Sequence, residues 1–421
     1  MNANDLRRRD RSRPHDVVLF GATGFTGALV AEHLARYRGD SGARIALAGR
    51  NRAKLEQVRA SLRGFHVGAG EWPILVADAA DARSLEAIAE RAEVVCTTVG
   101  PYAKYGEPLV AACVKKGADY CDLTGEVQFV KRMIDRHHED ATRAGARIVH
   151  CCGFDSIPSD LGTLMMHDAM RERHGGTLDE VRFYAGEMRG GASGGTIASL
   201  LNVLDEAQTD REVRRIAGDP YALVPREARG PDGRDQLGVR FDRDLGMWTG
   251  PFVMAAINTR VVRRSNYLLD FAYGRSFRYS EVMSTGRGPR GLVRAGAVSV
   301  GLGGFVAAAS VKPIRRLIER RLPKPGEGPN REARERGFFV VRLIAKGRDA
   351  KGRPVTLRGR VEGKADPGYG ETAKMLSEAA LCLALDGASL DSPGGIRTPA
   401  STMGMRLVER LRDVGMVFQV E

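Results

Sequence analysis

The chain has 421 residues, 65 Lys and Arg against 52 Asp and Glu, a net charge of +13, and 51 glycines spread along its length. That length suits two domains of roughly 100 to 200 residues each, and a composition 43% hydrophobic and 28% charged excludes disordered and collagen-like classes. Five of the basic residues, Arg7, Arg8, Arg9, Arg11 and Arg13, fall in a segment without periodicity, which reads as a disordered basic arm over 1–14. No nucleic-acid-binding motif accompanies the charge, so nucleic acid is set aside as a partner; a phosphorylated cofactor, an acidic protein or an anionic membrane surface suits the excess better.

The elements follow in order. An apolar run, Val17 to Phe20, meets a glycine turn, Gly21 to Gly27, and a helical pattern through Leu29, Val30 and Leu34: strand, tight turn, helix. Apolar strands at 44–50, 73–78, 93–100, 119–122 and 147–151 then alternate with helices near 54–62, 85–91, 108–116 and 127–144. Such alternation predicts an α/β fold with an N-terminal Rossmann-like, doubly wound parallel sheet over 15–165. Beyond residue 180 strand-like runs at 180–184, 252–262, 338–345 and 355–361 predict an α+β second domain, 166–395, with a mostly antiparallel sheet. Stretches 206–247 and 322–337 read as loops, and a helix and strand within 396–421 are placed as a return to the first domain. Ala295 to Val311 is 17 residues without a charge. Diluted by glycine and serine, it is short for a membrane span and reads as a core helix or buried connection, with a peripheral membrane contact as the other reading.

The glycine turn carries the clearest chemistry. A dinucleotide pyrophosphate rests on backbone N–H groups at a helix N-terminus, so Gly21, Ala22, Thr23, Gly24, Phe25, Thr26 and Gly27 are the predicted cradle. Where a carboxylate would hold a ribose 2′-hydroxyl, the second strand ends in Gly49, Arg50, Asn51 and Arg52. Guanidinium groups suit a 2′-phosphate, so the predicted cofactor is NADP(H), bound in part by Arg50. Asp78, ending the third strand, is either an adenine neighbour or a helix cap. Val99, Gly100 and Pro101, ending the fourth, lie where the nicotinamide half belongs. Tyr102, Lys104 and Tyr105 beyond them are candidates for polarising or protonating a substrate. The polar run 152–162 after the sixth strand can present hydroxyls and carboxylates to a cleft; its other reading is a capped helix start, with Ser156 or Asp155 as the cap. The Gly-rich run 189–196 is either a second anion cradle or a substrate loop. Eight histidines and six cysteines show no metal-ligand spacing, and the cysteine pattern fits a reducing cytoplasm.

Together GATGFTG at 21–27, AGR at 48–50, VGPY at 99–102, YCDLTGE at 120–126 and GFDSIPSDLG at 153–162 resemble the saccharopine dehydrogenase family. GGASGGT at 190–196, WTGPF at 248–252, NTRVVRRS at 258–265, DPGYGETAKM at 366–375 and TPASTMG at 398–404 extend the resemblance over nearly the whole chain. Within that family the sequence is similar to the trans-acting enoyl reductases of mycobacteria and related actinobacteria. The resemblance implies NADPH-dependent reduction of an α,β-unsaturated thioester, delivered by an acyl carrier domain or polyketide synthase in cell-envelope lipid synthesis. It implies a proton donor among Tyr102, Tyr105 and Ser156; the cysteine pattern and the 295–311 segment place the protein in the cytoplasm, with the inner face of the plasma membrane as a further location. Two other readings stay open: an amino-acid or imine dehydrogenase on the same fold, and a non-catalytic NADP(H)-binding, lipid-associated protein.

Overall fold

The computed structural model describes residues 13–38, 42–190, 194–321 and 327–421. Strands β1 (His15–Phe20), β2 (Ile45–Gly49), β3 (Ile74–Val76), β4 (Ala92–Thr97), β5 (Asp119–Cys121) and β6 (Arg147–Val149) alternate with helices α1 (Phe25–Arg38), α2 (Arg52–Leu62), α3 (Ala82–Arg91), α4 (Tyr102–Tyr105), α5 (Glu107–Lys116) and α6 (Val127–Ala144). Helix α7 (Ile157–His174) leads into β7 (Thr177–Arg189), followed by α8 (Gly194–Thr209), α9 (Arg211–Gly218), β8 (Arg240–Asp242), β9 (Met247–Gly250), α10 (Ala255–Leu268), β10 (Arg278–Gly286), α11 (Gly288–Ala309), α12 (Lys312–Arg321) and α13 (Arg331–Glu335). The chain closes with β11 (Phe338–Arg348), β12 (Pro354–Gly363), α14 (Thr372–Leu385), β13 (Gly395–Arg397), α15 (Pro399–Thr402), α16 (Gly404–Asp413) and β14 (Val417–Val420).

The first sheet runs β13-β6-β5-β4-β1-β2-β3, parallel throughout. Its central strand explains the continuous apolar run: Val17 and Leu19 face α1, α2 and α14, while Val18 and Phe20 face α3, α5 and α6. A strand covered on both faces has no solvent side to mark with polar residues. The second sheet runs β14-β12-β11-β7-β10-β9-β8, and β7 with β10 is its one parallel pair. Helix α7 packs on the second sheet against β7, β11, β12 and β14, and one apolar cluster, which includes Leu161, Met166, Leu343 and Val361, continues from there into the first domain.

Several sequence expectations are revised. Residues 252–262 form most of α10 rather than a strand, because its polar side chains are buried in ion pairs: Arg263 with Asp232 at 2.7 Å, and Arg260 with Asp235. Within 206–247 and 322–337 the expected loops contain α9, β8 and α13. Helix α14, assigned by sequence to the second domain, is buried against β1, β4 and α1 of the first. It is pinned by Glu378, which accepts from His33 Nε2 and Arg410 Nε, both at 3.1 Å. The tail divides: β13 joins the first sheet beside β6, but β14 pairs with β12 in the second. Helix α11 is not a core helix, since only Gly291, Ala295 and Ala309 of its 22 residues are buried. In the expected basic arm, residues 1–12 lie outside the described residues, whereas Arg13 is held by the carbonyls of Ala89, Ala92 and Lys116.

Adjacent strands β5 and β6 are locked by a buried ion pair. Asp119 accepts from Arg147 N at 2.8 Å and from its Nε at 2.9 Å, while Arg147 Nη1 donates to the Gly387 carbonyl at 2.8 Å. Removing one partner strands a buried charge, so Asp119→Ala is expected to cost about 3–5 kcal/mol. A fall in the denaturation midpoint reads this out; an unchanged midpoint would show that the pair contributes nothing.

Candidate functional site

At the carboxyl end of β1 the chain turns sharply. Gly21 has φ +93°, where a side chain is strained, and Gly24 N donates back to its carbonyl at 2.9 Å. A Cβ on Gly21 would lie 2.8 Å from Thr98 Oγ1 and Val99 Cγ2, and one on Gly27 would lie 2.1 Å from the Gly21 oxygen. Those two glycines are required by the fold. Gly24 is not: its Cβ would meet only the Gly21 oxygen, at 3.3 Å. A glycine there leaves room for a group approaching the turn from outside, at a helix N-terminus with no acidic residue in its first turn. The cradle therefore fits a pyrophosphate. Ala22 is fully buried and contributes backbone only, while Thr23, Phe25 and Thr26 are half-buried at the rim.

The rim reaches the second domain. The Phe25 ring meets Tyr369 edge-on with centroids 4.8 Å apart, and the Arg334 guanidinium lies 5.4 Å from the Phe25 centroid. Tyr369 Oη accepts from Gly194 N, the first residue of α8, at 2.9 Å. Of the Gly-rich run, residues 191–193 lie outside the described residues, and the Gly194 N–H is already used by Tyr369.

At the end of β2, Arg50 is exposed and has no ion pair among the described residues; Arg52 lies 4.0 Å from Glu56, and Asn51 caps α2 by accepting from Lys54 N. An unpaired guanidinium at this strand end fits a 2′-phosphate. Asp78 forms a turn, accepting from Ala80 N at 2.9 Å, while the α3 cap is Asp81. Thr98 Oγ1 donates to the Gly21 carbonyl at 3.2 Å, so Val99, Gly100 and Pro101 leave the sheet directly opposite the glycine turn.

The three predicted proton donors occupy different settings. Tyr102 is buried, with its hydroxyl donating to the Thr97 carbonyl at 3.1 Å; burial, and then the nearby Asp122 charge, hold its phenol well above the usual range. Ser156 is buried too and donates to Asn258 Oδ1 at 3.0 Å, at one end of a chain that continues through Asn258 Nδ2 to Glu281 and from Tyr279 to Glu281. Tyr105 is 47% exposed, and Lys104 beside it is exposed as well. The structure does not gather these residues into one constellation.

A fourth group stands where chemistry is expected, beyond the carboxyl ends of β5 and β6. The Asp122 carboxylate clamps both loops: it accepts from Tyr120 Oη at 2.9 Å, His150 Nδ1 at 2.7 Å, and the N–H groups of Thr124 and Cys151, both at 3.1 Å. Glu126 accepts from Tyr102 N at 2.8 Å, Ala103 N at 3.0 Å and Ser199 Oγ of α8 at 3.0 Å. Between the clamped loops Asp155 is half-buried, its Oδ2 3.4 Å from the place of a Gly125 Cβ, with Met254 Cε 4.0 Å from that same place. Among the described residues Asp155 makes no hydrogen bond, and burial pushes its carboxyl up to about 7. The run allows two readings, a polar face on a cleft or a capped helix start, and neither side chain caps: Ser156 holds the N-cap position without a capping hydrogen bond, its hydroxyl going to Asn258, and the Asp155 side chain is not used as a cap either.

The sequence profile of the saccharopine dehydrogenase NADP binding domain matches residues 17–149. A putative trans-acting enoyl reductase of Mycobacterium tuberculosis is 47% identical over 421 residues, covering 97% of both chains. A trans-acting enoyl reductase of Mycobacterium ulcerans is 42% identical over 416 residues, covering 96% of this chain and 97% of its own. Among solved structures, saccharopine dehydrogenase (L-Glu forming) of Saccharomyces cerevisiae superposes with a TM-score of 0.54 at 14% identity, covering 96% of this chain and 99% of that one, and shares the fold. The matched domain coincides with the glycine cradle, and NADP(H) is the cofactor it binds. Gly24→Asp is expected to abolish NADPH binding in a folded protein by setting a carboxylate where phosphate rests; calorimetry showing unchanged affinity would contradict the cradle. Arg50→Glu is expected to weaken NADPH at least about tenfold while sparing NADH.

Proposed function

The chain belongs to the saccharopine dehydrogenase family, among its trans-acting enoyl reductases, and on that premise we propose that it reduces an α,β-unsaturated acyl thioester presented by an acyl carrier domain or polyketide synthase. The product is the saturated thioester, a step in building polyketide or cell-envelope lipids. The observation that carries this reading is a half-buried carboxyl beyond β5 and β6, where Asp155 stands beside Gly125 and the apolar Met254. Three arginines of α10 are engaged within the protein and so are not free to hold the carboxylates of a doubly charged amino-acid substrate. Arg260 pairs with Asp235, Arg263 with Asp232, and Arg264 donates to the carbonyls of Leu223 at 2.7 Å and Ile396 at 2.6 Å. Six free, buried cysteines suit a reducing cytoplasm.

Bound NADPH supplies the hydride, which the β-carbon of the enoyl group accepts. The electron pair of the double bond moves toward the thioester carbonyl, and the α-carbon then needs a proton. Asp155 holds one because burial disfavours its charged form. Gly21, Gly24 and Gly27 shape the cofactor cradle, Arg50 answers the 2′-phosphate, Asp122 fixes the loop that carries the acid through His150 and Cys151, and Glu126 fixes the segment after β4 through Tyr102 and Ala103.

The sign of the pH dependence follows. Asp155 is protonated below about 7 and ionised above it, so kcat should fall as pH rises through that value. Asp155→Asn should remove this limb and lower kcat about 100-fold or more, with NADPH affinity unchanged. Tyr105→Phe is the control, expected to retain most of the activity. Asp155→Asn turning over at the parental rate would overturn the assignment, and tight NADPH binding without oxidation on any enoyl thioester would overturn the reaction.

A further inference from the structure

Helix α11 is at odds with its surroundings. It is 22 residues long, with a mean hydropathy of 1.6 over its most apolar stretch, yet that stretch is only 11% buried. Val293 and Val300 are 71% and 75% exposed, Leu292 is exposed beside Val293, and α12 continues the surface with exposed Ile314 and Leu317. Burying such surface is favourable wherever a partner excludes water from it.

The surrounding charge is of one sign. No Asp or Glu occurs between Glu281 and Glu319, whereas Arg287, Arg290, Arg294, Lys312, Arg315 and Arg316 do. Arg315 pairs with Asp205 of α8; the other five have no ion pair among the described residues. Apolar side chains flanked by the basic side chains Arg287, Arg290 and Arg294 on one side and Lys312 and Arg316 on the other complement an anionic lipid surface, whose headgroups meet the cations while the acyl region takes the valines and leucines.

The attachment of α11 rules out a crossing. Near its start a Cβ on Gly291 would lie 2.2 Å from the Gly286 carbonyl, and Ala295 is buried against β9. Past its end the Ser310 carbonyl accepts from Gln208 of α8 at 2.9 Å, and Ala309 is buried. Both ends are thus fixed to the same folded body, and a helix spanning about 33 Å could not traverse a bilayer without breaking one attachment. We infer that α11 and α12 form an in-plane docking surface for an anionic membrane, holding the protein at the bilayer with the helix lying along it. This does not depend on the reaction proposed above.

The test is flotation of the full chain with vesicles of mixed phosphatidylglycerol and phosphatidylcholine, against vesicles of phosphatidylcholine alone. Binding should be at least about tenfold stronger to the anionic vesicles and should weaken as salt is raised. The double variant Val293→Asp, Val300→Asp alters two exposed side chains, so it should keep its melting temperature and NADPH affinity while losing at least about tenfold in vesicle binding. Equal binding to both vesicle types, or vesicle binding unaltered by the double substitution, would overturn the inference. So would a soluble dimer that binds no vesicles and that the same substitutions convert to monomer, since a second copy would then be the occupant.

Discussion

The carboxylate of Asp122 accepts four hydrogen bonds, from two side chains and two backbone N–H groups, and the reacting end of the first domain is organised around them. One of the donors belongs to Cys151, whose φ of +64° is unfavourable for a residue with a side chain. Such a conformation costs on the order of 1–3 kcal/mol and persists where its surroundings impose it. Here the imposition is the bond from Cys151 N to a fully buried carboxylate. The turn aims residues 152–156 across the end of β5, and with them the Asp155 side chain. A shorter or neutral residue at 122 would release both loops together.

The second domain completes the site rather than resting beside it. Ser199 of α8 bonds to Glu126, Tyr369 joins the start of α8 to Phe25, and Arg334 stands over the Phe25 ring. Phe25 therefore reports contact between the domains at the cofactor rim, and a cation from the segment before β11 reaches the mouth of a cradle built by β1 and α1. Helix α14, buried on the first sheet, is bonded through Glu378 to α1 and to α16, which in turn packs on α7 and β14 of the second domain.

The parallel sheet was legible in the sequence because buried strands such as Val17 to Phe20 are apolar on both faces and are punctuated by glycine turns. The cradle was legible because the spacing of Gly21, Gly24 and Gly27 follows from contacts within the turn and with the helix that leaves it. Helix α10 was not, since it is buried on nearly every side and its buried Asn258, Arg260 and Arg263 find partners, Glu281, Asp235 and Asp232, that lie distant in sequence. Strand β13 is three residues long and follows a loop, too short for periodicity to mark. For α11 the sequence gives length and lack of charge, but burial depends on how much of the second sheet remains to be covered. Asp155 was legible only as one of several polar groups in a run suited either to a cleft or to a helix cap, and packing decides that Ser156 turns to Asn258 while Asp155 stands beside Gly125 and Met254.

The measurement that bears most directly on the central claim follows the two hydrogens. With NADPH deuterated at the transferred position and a 2-enoyl thioester on a carrier protein, mass spectrometry of the product should place one deuterium on the β-carbon. The same reaction in deuterated water with ordinary NADPH should place one on the α-carbon. That pair of labels is the expected result of hydride delivery and a separate proton donor beyond β5 and β6. Deuterium transfer to an imine carbon, with the enoyl thioester returned unlabelled, would contradict the account.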